Sequence, residues 1–173
     1  MRILALSGSL RKGSTNTTLL EAAAVLAADS MDIRLFDGLA ELPHFNPDLE
    51  NEAIPAVDAW RSALRASNGL VISTPEYAHG VPGALKNALD WVVGSGETVD
   101  LPIALFNATT RSRHAIESLE EILRTMAGRI IPEACIALPL LGTSPTVNQI
   151  VTDSSLAATI LRAVEAFKAA IVK

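Results

Sequence analysis

The sequence predicts one α/β domain built on a doubly wound parallel sheet of five strands, with helices on both faces. Short apolar runs alternate with longer amphipathic segments, and this alternation is typical of βαβ units. The chain has 173 residues, which suits one domain and is too short for two ordinary ones. Because 49% of the residues are hydrophobic, the chain can bury a substantial core. We therefore predict a single domain over residues 1–173.

Short apolar runs bounded by turn-forming residues predict the strands. Gly8 ends the first run and Pro75 ends the third, while the second run alternates apolar and polar residues. Pro132 lies inside the last run, and proline cannot donate to a ladder, so this strand is predicted to lie at a sheet edge or to begin irregularly. The five predicted strands are Ile3–Ser7, Asp32–Phe36, Gly69–Thr74, Pro102–Asn107 and Arg129–Leu138.

Amphipathic segments between the strands predict the helices, because their apolar residues recur at helical spacing. Thr18 and Glu21 have the spacing of a capping box in the first helix. Pro55 and Pro82 suit the first turns of the second and third helices. The segment 37–54 is rich in proline and acidic residues and predicts an irregular loop. The predicted helices are Asn16–Ala28, Pro55–Ala66, one beginning near Pro82, Arg113–Met126 and Leu156–Val172.

The composition argues against several classes of function. A net charge of −5 does not favour nucleic acid as a partner, since phosphate neutralisation needs a basic surface. No apolar run approaches the roughly 20 residues that cross a bilayer, so no membrane segment is predicted. The only cysteine, Cys135, is predicted to be a core thiol on a buried strand, and a single cysteine suits the reducing cytoplasm. The three histidines do not have metal-ligand spacing, so no metal site is predicted.

Ligands of doubly wound sheets lie at the carboxyl ends of the strands where the winding direction reverses, which points to the loops after strands 1, 3 and 4. The segment 7–18 offers glycines, hydroxyls and cations at the start of a helix, as a phosphate site requires. It is not a Walker A motif, which needs lysine where Ser14 stands, nor a GxGxxG fingerprint, which Leu10 interrupts. It suits a phosphate monoester such as that of FMN. A polar connection into a well-capped helix is also compatible with these residue types.

The loop after the third strand is stiff and turns tightly, so its backbone can approach a flat ring closely. Three segments carry a resemblance: GSLRKGSTN at 8–16, PEY at 75–77 and PGALKNALDW at 82–91. Together with the connection at 42–50, they resemble the NADPH-dependent FMN reductase family, which includes azo-, quinone- and chromate-reducing flavoproteins. The resemblance implies a flavodoxin-like fold with strand order 2-1-3-4-5 and a homodimer or homotetramer. Trp60 and Trp91 give this assembly weak support from the sequence.

The resemblance also implies which residues bind the cofactor. Five residues after the first strand would hold the FMN phosphate: Ser9, Arg11, Ser14, Asn16 and Thr17. Five after the third strand would contact the flavin, largely through the backbone: Pro75, Glu76, Tyr77, Ala78 and His79. Asn107 and Thr109, after the fourth strand, would reach the flavin from a polar loop that replaces the family's glycine-rich one. Ala78 and Gly80 stand where the family often has Asn and Ser.

The predicted function is that of an FMN-dependent NAD(P)H oxidoreductase. NADPH or NADH would pass hydride to FMN, and a small-molecule acceptor, such as a quinone, azo compound, metal oxyanion or free flavin, would then take the electrons. Because the cofactor carries this chemistry, no catalytic side chain is predicted; His79 is hypothesised to line the acceptor pocket. Two other interpretations stay open: a flavodoxin-type electron carrier, and a flavin-free domain that binds another phosphate compound.

Overall fold

The computed structural model describes residues 1–172 and contains one parallel sheet. Its main strands follow the order β2-β1-β3-β4-β5, and β6 pairs with β4 beyond β5. The predicted sheet order is thereby confirmed. The strands are β1 Arg2–Ser7, β2 Asp32–Leu35, β3 Gly69–Ser73, β4 Pro102–Asn107, β5 Arg129–Ile130 and β6 Ile136–Ala137.

Helices cover both faces of the sheet, as predicted. Within β1, Ile3 and Ala5 pack into the core beside α1 and α6, whereas Leu4 and Leu6 pack into the core beside α2, α3 and α4. This alternation follows from the period-2 geometry of a strand, and both faces must be apolar because both are covered. The helices are α1 Thr15–Leu26, α2 Pro55–Arg65, α3 Gly83–Val93, α4 His114–Thr125, α5 Val147–Thr152 and α6 Ser154–Val172. In the part of the chain described, no helix is long and apolar enough to cross a membrane.

The winding direction reverses between β1 and β3. The chain leaves β1 through α1 on one face and leaves β3 through α3 on the other. The two strands pair in parallel, and Ser7 at the end of β1 lies opposite Ser73 at the end of β3. The loops that follow these residues therefore meet at one point on the sheet edge.

The last predicted strand, Arg129–Leu138, lies at the sheet edge as expected, but its prediction as one continuous strand is wrong. A 3₁₀ turn at Pro132–Ala134 divides it into β5 and β6, because proline cannot supply a ladder hydrogen bond. The turn moves the chain away from β4 at Leu105. The backbone N–H of Leu105 donates to Cys135 Sγ instead, at 3.3 Å, and the thiol donates to the carbonyl of Ile131 at 3.4 Å. Cys135 is thus a half-buried thiol that fills a gap in the ladder, not a residue of a continuous strand.

Removing the Cys135 sulfur should therefore destabilise the sheet. Cys135→Ala leaves the buried Leu105 N–H without an acceptor, and we expect the free energy of unfolding to fall by about 1–3 kcal/mol. Cys135→Ser keeps an acceptor and should lose less; urea denaturation of both variants tests this. Burial raises the pKa of the Cys135 thiol, so iodoacetamide should alkylate it more slowly at pH 8 than it alkylates a free cysteine. Equal stability of the two variants would contradict this role.

Three smaller predictions also differ from the structure. Ser14, not Thr18, occupies the N-cap of α1, and the Thr18 hydroxyl donates to the Ser14 carbonyl, so the capping box is absent. The loop 37–54 contains 3₁₀ turns at Gly38–Glu41 and Pro47–Leu49. Helix α5 was not expected.

The two tryptophans support the fold rather than an assembly. Trp60 and Trp91 are fully buried, so they are not available to a subunit interface. The Trp60 indole donates to the carbonyl of Ala88, and the Trp91 indole donates to the carbonyl of Pro43. Asn87 accepts from the N–H of Phe45 and donates to the same Pro43 carbonyl. Asn87 and Trp91 of the 82–91 motif therefore hold the long loop against α3.

Candidate functional site

A cavity of about 210 Å³ lies where the loops after β1, β3 and β4 meet. Eight of the twelve predicted ligand residues line it: Ser9, Arg11, Ser14, Asn16, Pro75, Glu76, Tyr77 and Thr109. The other four, Thr17, Ala78, His79 and Asn107, lie outside its lining. This is the switch point of the sheet, where the fold class places its ligands.

Gly8 is the point at which the loops after β1 and β3 come closest. Its N–H donates to the carbonyl of Ser73 at 2.8 Å. A Cβ at this position would lie 2.3 Å from Thr74 Oγ1 and 3.0 Å from Leu85 Cδ2. Only glycine fits this contact, which places Ser9 and Ser14 beside Thr74.

The amino end of α1 opens into the cavity without a cap. Ser14 has the backbone conformation of an N-cap, yet its hydroxyl makes no capping hydrogen bond, and no acidic residue stands in the first turn. The first amides of the helix therefore keep their donor capacity. Arg11 lines the same cavity and makes no ion pair with any described residue. Hydroxyls, helix amides and a guanidinium fit a phosphate monoester.

Asn16 and Thr17 face different surroundings. The Asn16 side-chain oxygen accepts from the buried hydroxyl of Ser73 at 2.9 Å, so its amide nitrogen remains available to a ligand. The Thr17 hydroxyl is hydrogen-bonded to the Ser7 hydroxyl at 2.8 Å and does not line the cavity. Thr17 thus stabilises the junction between β1 and α1, a role that the sequence did not indicate.

The loop after β3 turns through two residues in the left-handed region. Ala78 has φ 49° and His79 has φ 57°, and Tyr77 and Gly80 exchange both backbone hydrogen bonds across them. Non-glycine residues rarely adopt this conformation, so the turn is strained. Tyr77 is 56% exposed at the cavity mouth. The His79 ring does not reach the cavity but stacks on His114, with 4.4 Å between ring centroids.

Glu76 links this loop to α4. Its Oε2 accepts from the N–H of Ala115 at 2.9 Å, in the first turn of the helix. A carboxylate at this position also interacts favourably with the helix dipole. Two independent contacts, this one and the histidine stack, therefore join the loop after β3 to the start of α4.

The loop after β4 is ordered by its own side chains. Asn107 Oδ1 accepts from the N–H of Thr109 at 3.1 Å, and its amide nitrogen donates to the carbonyl of Ser112. Thr109 Oγ1 in turn accepts from the N–H of Arg111 at 3.1 Å. Buried Asn107 thus shapes the loop, while Thr109 and Ser112 reach the cavity.

The sequence pattern of the NADPH-dependent FMN reductase family matches residues 1–140. The chain belongs to this family. The NADPH azoreductase of Bacillus sp. (strain OY1-2) is 31% identical over 130 residues, which cover 74% of this chain and 70% of that protein. The quinone reductase of Escherichia coli K12 is 39% identical over 94 residues, covering 53% of this chain and 50% of the relative. The matched region is about half the length of this and several other curated relatives.

Solved structures agree with this membership. The flavoenzyme NAD(P)H:(acceptor) oxidoreductase from Paracoccus denitrificans superposes with a TM-score of 0.86 at 26% identity, covering 99% of this chain and 97% of that one. Oxidised flavodoxin 1 from Bacillus cereus superposes with a TM-score of 0.63 at 14% identity, covering 96% and 97%. The second likeness shows the fold, which is flavodoxin-like.

Five cavity residues of this family member were not predicted: Thr15, Thr74, Ala108, Ser112 and Leu141. The first four belong to the three loops that the sequence points to as ligand loops, so they could have been predicted from their positions next to the strand ends. Leu141 carried no such signal, because it reaches the cavity from a segment beyond β6. Among residues 1–172, no group of three or more His, Cys, Asp or Glu side chains could hold a metal ion.

Proposed function

We propose that this chain is an FMN-dependent oxidoreductase that oxidises NADPH or NADH and reduces a small-molecule acceptor. The observation that carries the proposal is the uncapped amino end of α1, which opens with Ser14 and unpaired Arg11 into a cavity at the switch point. Family membership supports the same chemistry. The named quinone reductase and azoreductase relatives favour a quinone or azo compound as acceptor, and metal oxyanions and free flavin remain in the proposal.

In this proposal each loop has a separate task. Ser9, Arg11, Ser14, Asn16 and the first amides of α1 hold the FMN phosphate. The backbone of 75–79 orients the flavin ring, and Glu76 positions that backbone through Ala115. Thr109 and Ser112 close the remaining side. When bound, FMN supplies the hydride-accepting ring, so the protein's contribution is binding and orientation.

We further propose a single cytoplasmic domain that forms a homodimer or homotetramer. Two large apolar side chains that line the cavity, Tyr77 and Leu141, are exposed, Leu141 by 64%, and Leu10 on the loop after β1 is exposed as well. A second subunit covering them would remove this apolar surface from water. The single cysteine is consistent with a reducing compartment.

Visible absorption spectroscopy tests the proposed function. We expect the purified protein to bind added FMN and its flavin bands to bleach when NADPH or NADH is added anaerobically. Admission of a quinone should restore the bands. Bound flavin that stays oxidised with both nucleotides would indicate an electron carrier instead, and failure to bind FMN would contradict the proposal.

A further inference from the structure

Unpaired cations are concentrated on two of the loops that border the cavity. Among residues 1–172, five cationic side chains make neither an ion pair nor a hydrogen bond through their charged groups: Arg2, Arg11, Lys12, Arg111 and Lys168. Three of them, Arg11, Lys12 and Arg111, lie on the loops after β1 and β4. In a chain with net charge −5, cations that lack a carboxylate partner on these loops favour an anionic ligand there.

A second cleft extends from the cavity toward Arg111. It measures about 250 Å³, and it shares Thr109 and Leu141 with the cavity. Its remaining lining consists of Thr110, Arg111, Pro139 and Gly142. The cavity alone is smaller than the range of about 300–1,000 Å³ usual for ligand pockets, so FMN and a dinucleotide together must use adjoining space.

A third cleft also adjoins the cavity but has the opposite electrostatic character. It measures about 280 Å³, shares Thr109 and Ser112 with the cavity, and is lined by Glu120 and Cys135. The Glu120 carboxylate is already paired with Arg124 at 2.7 Å, and Arg124 does not line this cleft, so the cleft offers a phosphate no free cation. An unpaired guanidinium, in contrast, can bind a phosphate through two hydrogen bonds. Of the two clefts, the one at Arg111 is therefore suited to an anionic group.

The loop after β4 holds the backbone of Arg111 in place. The N–H of Arg111 donates to Thr109 Oγ1, and the N–H of Thr109 donates to Asn107 Oδ1. Asn107 is itself buried. The Thr109 hydroxyl keeps its proton for a ligand, and Thr110 adds a second hydroxyl. The loop therefore presents a guanidinium and two hydroxyl donors at one cleft.

We propose that the Arg111 cleft is a second anion subsite that binds the 2′-phosphate of NADPH and so makes the protein prefer NADPH to NADH. The two nucleotides differ only in this phosphate monoester, and Arg11 is engaged by the FMN phosphate in our proposal. Of the other unpaired cations on these loops, Arg111 lines the adjoining cleft, whereas Lys12 lines none of the three. The role of Arg111 in turnover rests on the proposed function. Anion binding at the Arg111 cleft, in contrast, can be measured without turnover.

Isothermal titration calorimetry in excess FMN tests the subsite directly. We expect 2′,5′-ADP to bind at least about tenfold more tightly than 5′-AMP, and Arg111→Ala to remove that difference. Arg113→Ala is the matched control, because it removes the same charge only two residues further along the chain. The Arg113 side chain is 82% exposed and is paired with Glu117. Equal binding of the two nucleotides by the wild type would overturn the proposal. So would an equal loss in both variants.

Steady-state kinetics then distinguish whether Arg111 binds the 2′-phosphate of NADPH or an anionic acceptor. Arg111→Ala should raise KM for NADPH roughly ten- to a hundredfold with little change in kcat, and should leave KM for NADH unchanged. Equal effects on NADPH and NADH would overturn the assignment. A loss seen only with anionic ferricyanide, and not with neutral benzoquinone, at saturating reductant would assign Arg111 to the acceptor and likewise overturn it. If the wild type oxidises neither nucleotide, the proposed function fails and calorimetry alone decides the subsite.

Discussion

Replacing Ser14 with aspartate should weaken FMN binding by at least about 100-fold while leaving the protein as stable as before. Aspartate is as good an N-cap as serine and supplies a capping hydrogen bond that the native serine does not make. We expect this bond and the favourable interaction with the helix dipole to offset the cost of placing a carboxylate at this buried position. The same carboxylate would lie where we place the FMN phosphate. Ser14 is only 4% exposed, and two unit charges 4 Å apart near a protein surface repel by about 4 kcal/mol.

The control for this experiment is Ser14→Asn. Asparagine has nearly the same size as aspartate and caps helices equally well, but it carries no charge. Fluorescence titration with FMN and with riboflavin, which lacks the phosphate, completes the design. Riboflavin should bind both variants alike, and thermal unfolding should show neither variant less stable than the wild type. If Ser14→Asp and Ser14→Asn bind FMN equally well, the phosphate does not lie at the amino end of α1.

Gly8→Ala should both destabilise the protein and impair FMN binding. The added methyl would lie 2.3 Å from Thr74 Oγ1 and 2.8 Å from Thr74 Cβ, and Thr74 is almost fully buried, so it cannot move aside freely. Overpacking of this kind costs about 1–3 kcal/mol, and in a chain of this size each kcal/mol lowers Tm by about 2–4 °C. Because the Gly8–Ser73 contact joins two ligand loops, any relief of the clash separates them.

Gly83→Ala provides the matched comparison. Gly83 is the first residue of α3, and a Cβ there would have no heavy atom within 4 Å. Alanine reduces the entropy of the unfolded chain, so this variant should be stabilised by about 0.4–1 kcal/mol. Differential scanning calorimetry of the two variants, with FMN affinity as a second readout, tests the pair. A Gly8→Ala protein with unchanged Tm would show that the loops after β1 and β3 are not tightly packed at this point.

Much of the fold could be predicted because it depends on local patterns. Apolar runs and helical periodicity placed the strands and most helices, and the topology of a doubly wound sheet nominated the loops that line the cavity. The last strand could not be predicted in full. Its division depends on how Pro132 and Cys135 meet Leu105, which lies 30 residues from the thiol in the sequence.

Individual roles in the site were harder to predict than the site's position. Glu76 has the same motif context whether its carboxylate faces a flavin or the N–H of Ala115, and those two residues are 39 positions apart. Thr17 likewise looks like a phosphate ligand in sequence, but its hydroxyl is bonded to Ser7. Such choices depend on contacts between segments that only the folded chain brings together, and local residue patterns do not encode them.

The two outer strands of the sheet have a consequence for behaviour at high concentration. On one side, β2 is short and exposes an ion pair between Arg34 and Asp32. The Arg34 guanidinium holds the pKa of the Asp32 carboxyl below its usual range, so the pair stays charged in mildly acidic solution. On the other side, the turn at Pro132 leaves only two-residue segments. Open strand edges otherwise template the edge-to-edge growth of intermolecular sheets. Both edges of this sheet therefore resist aggregation, one by charge and the other by interruption.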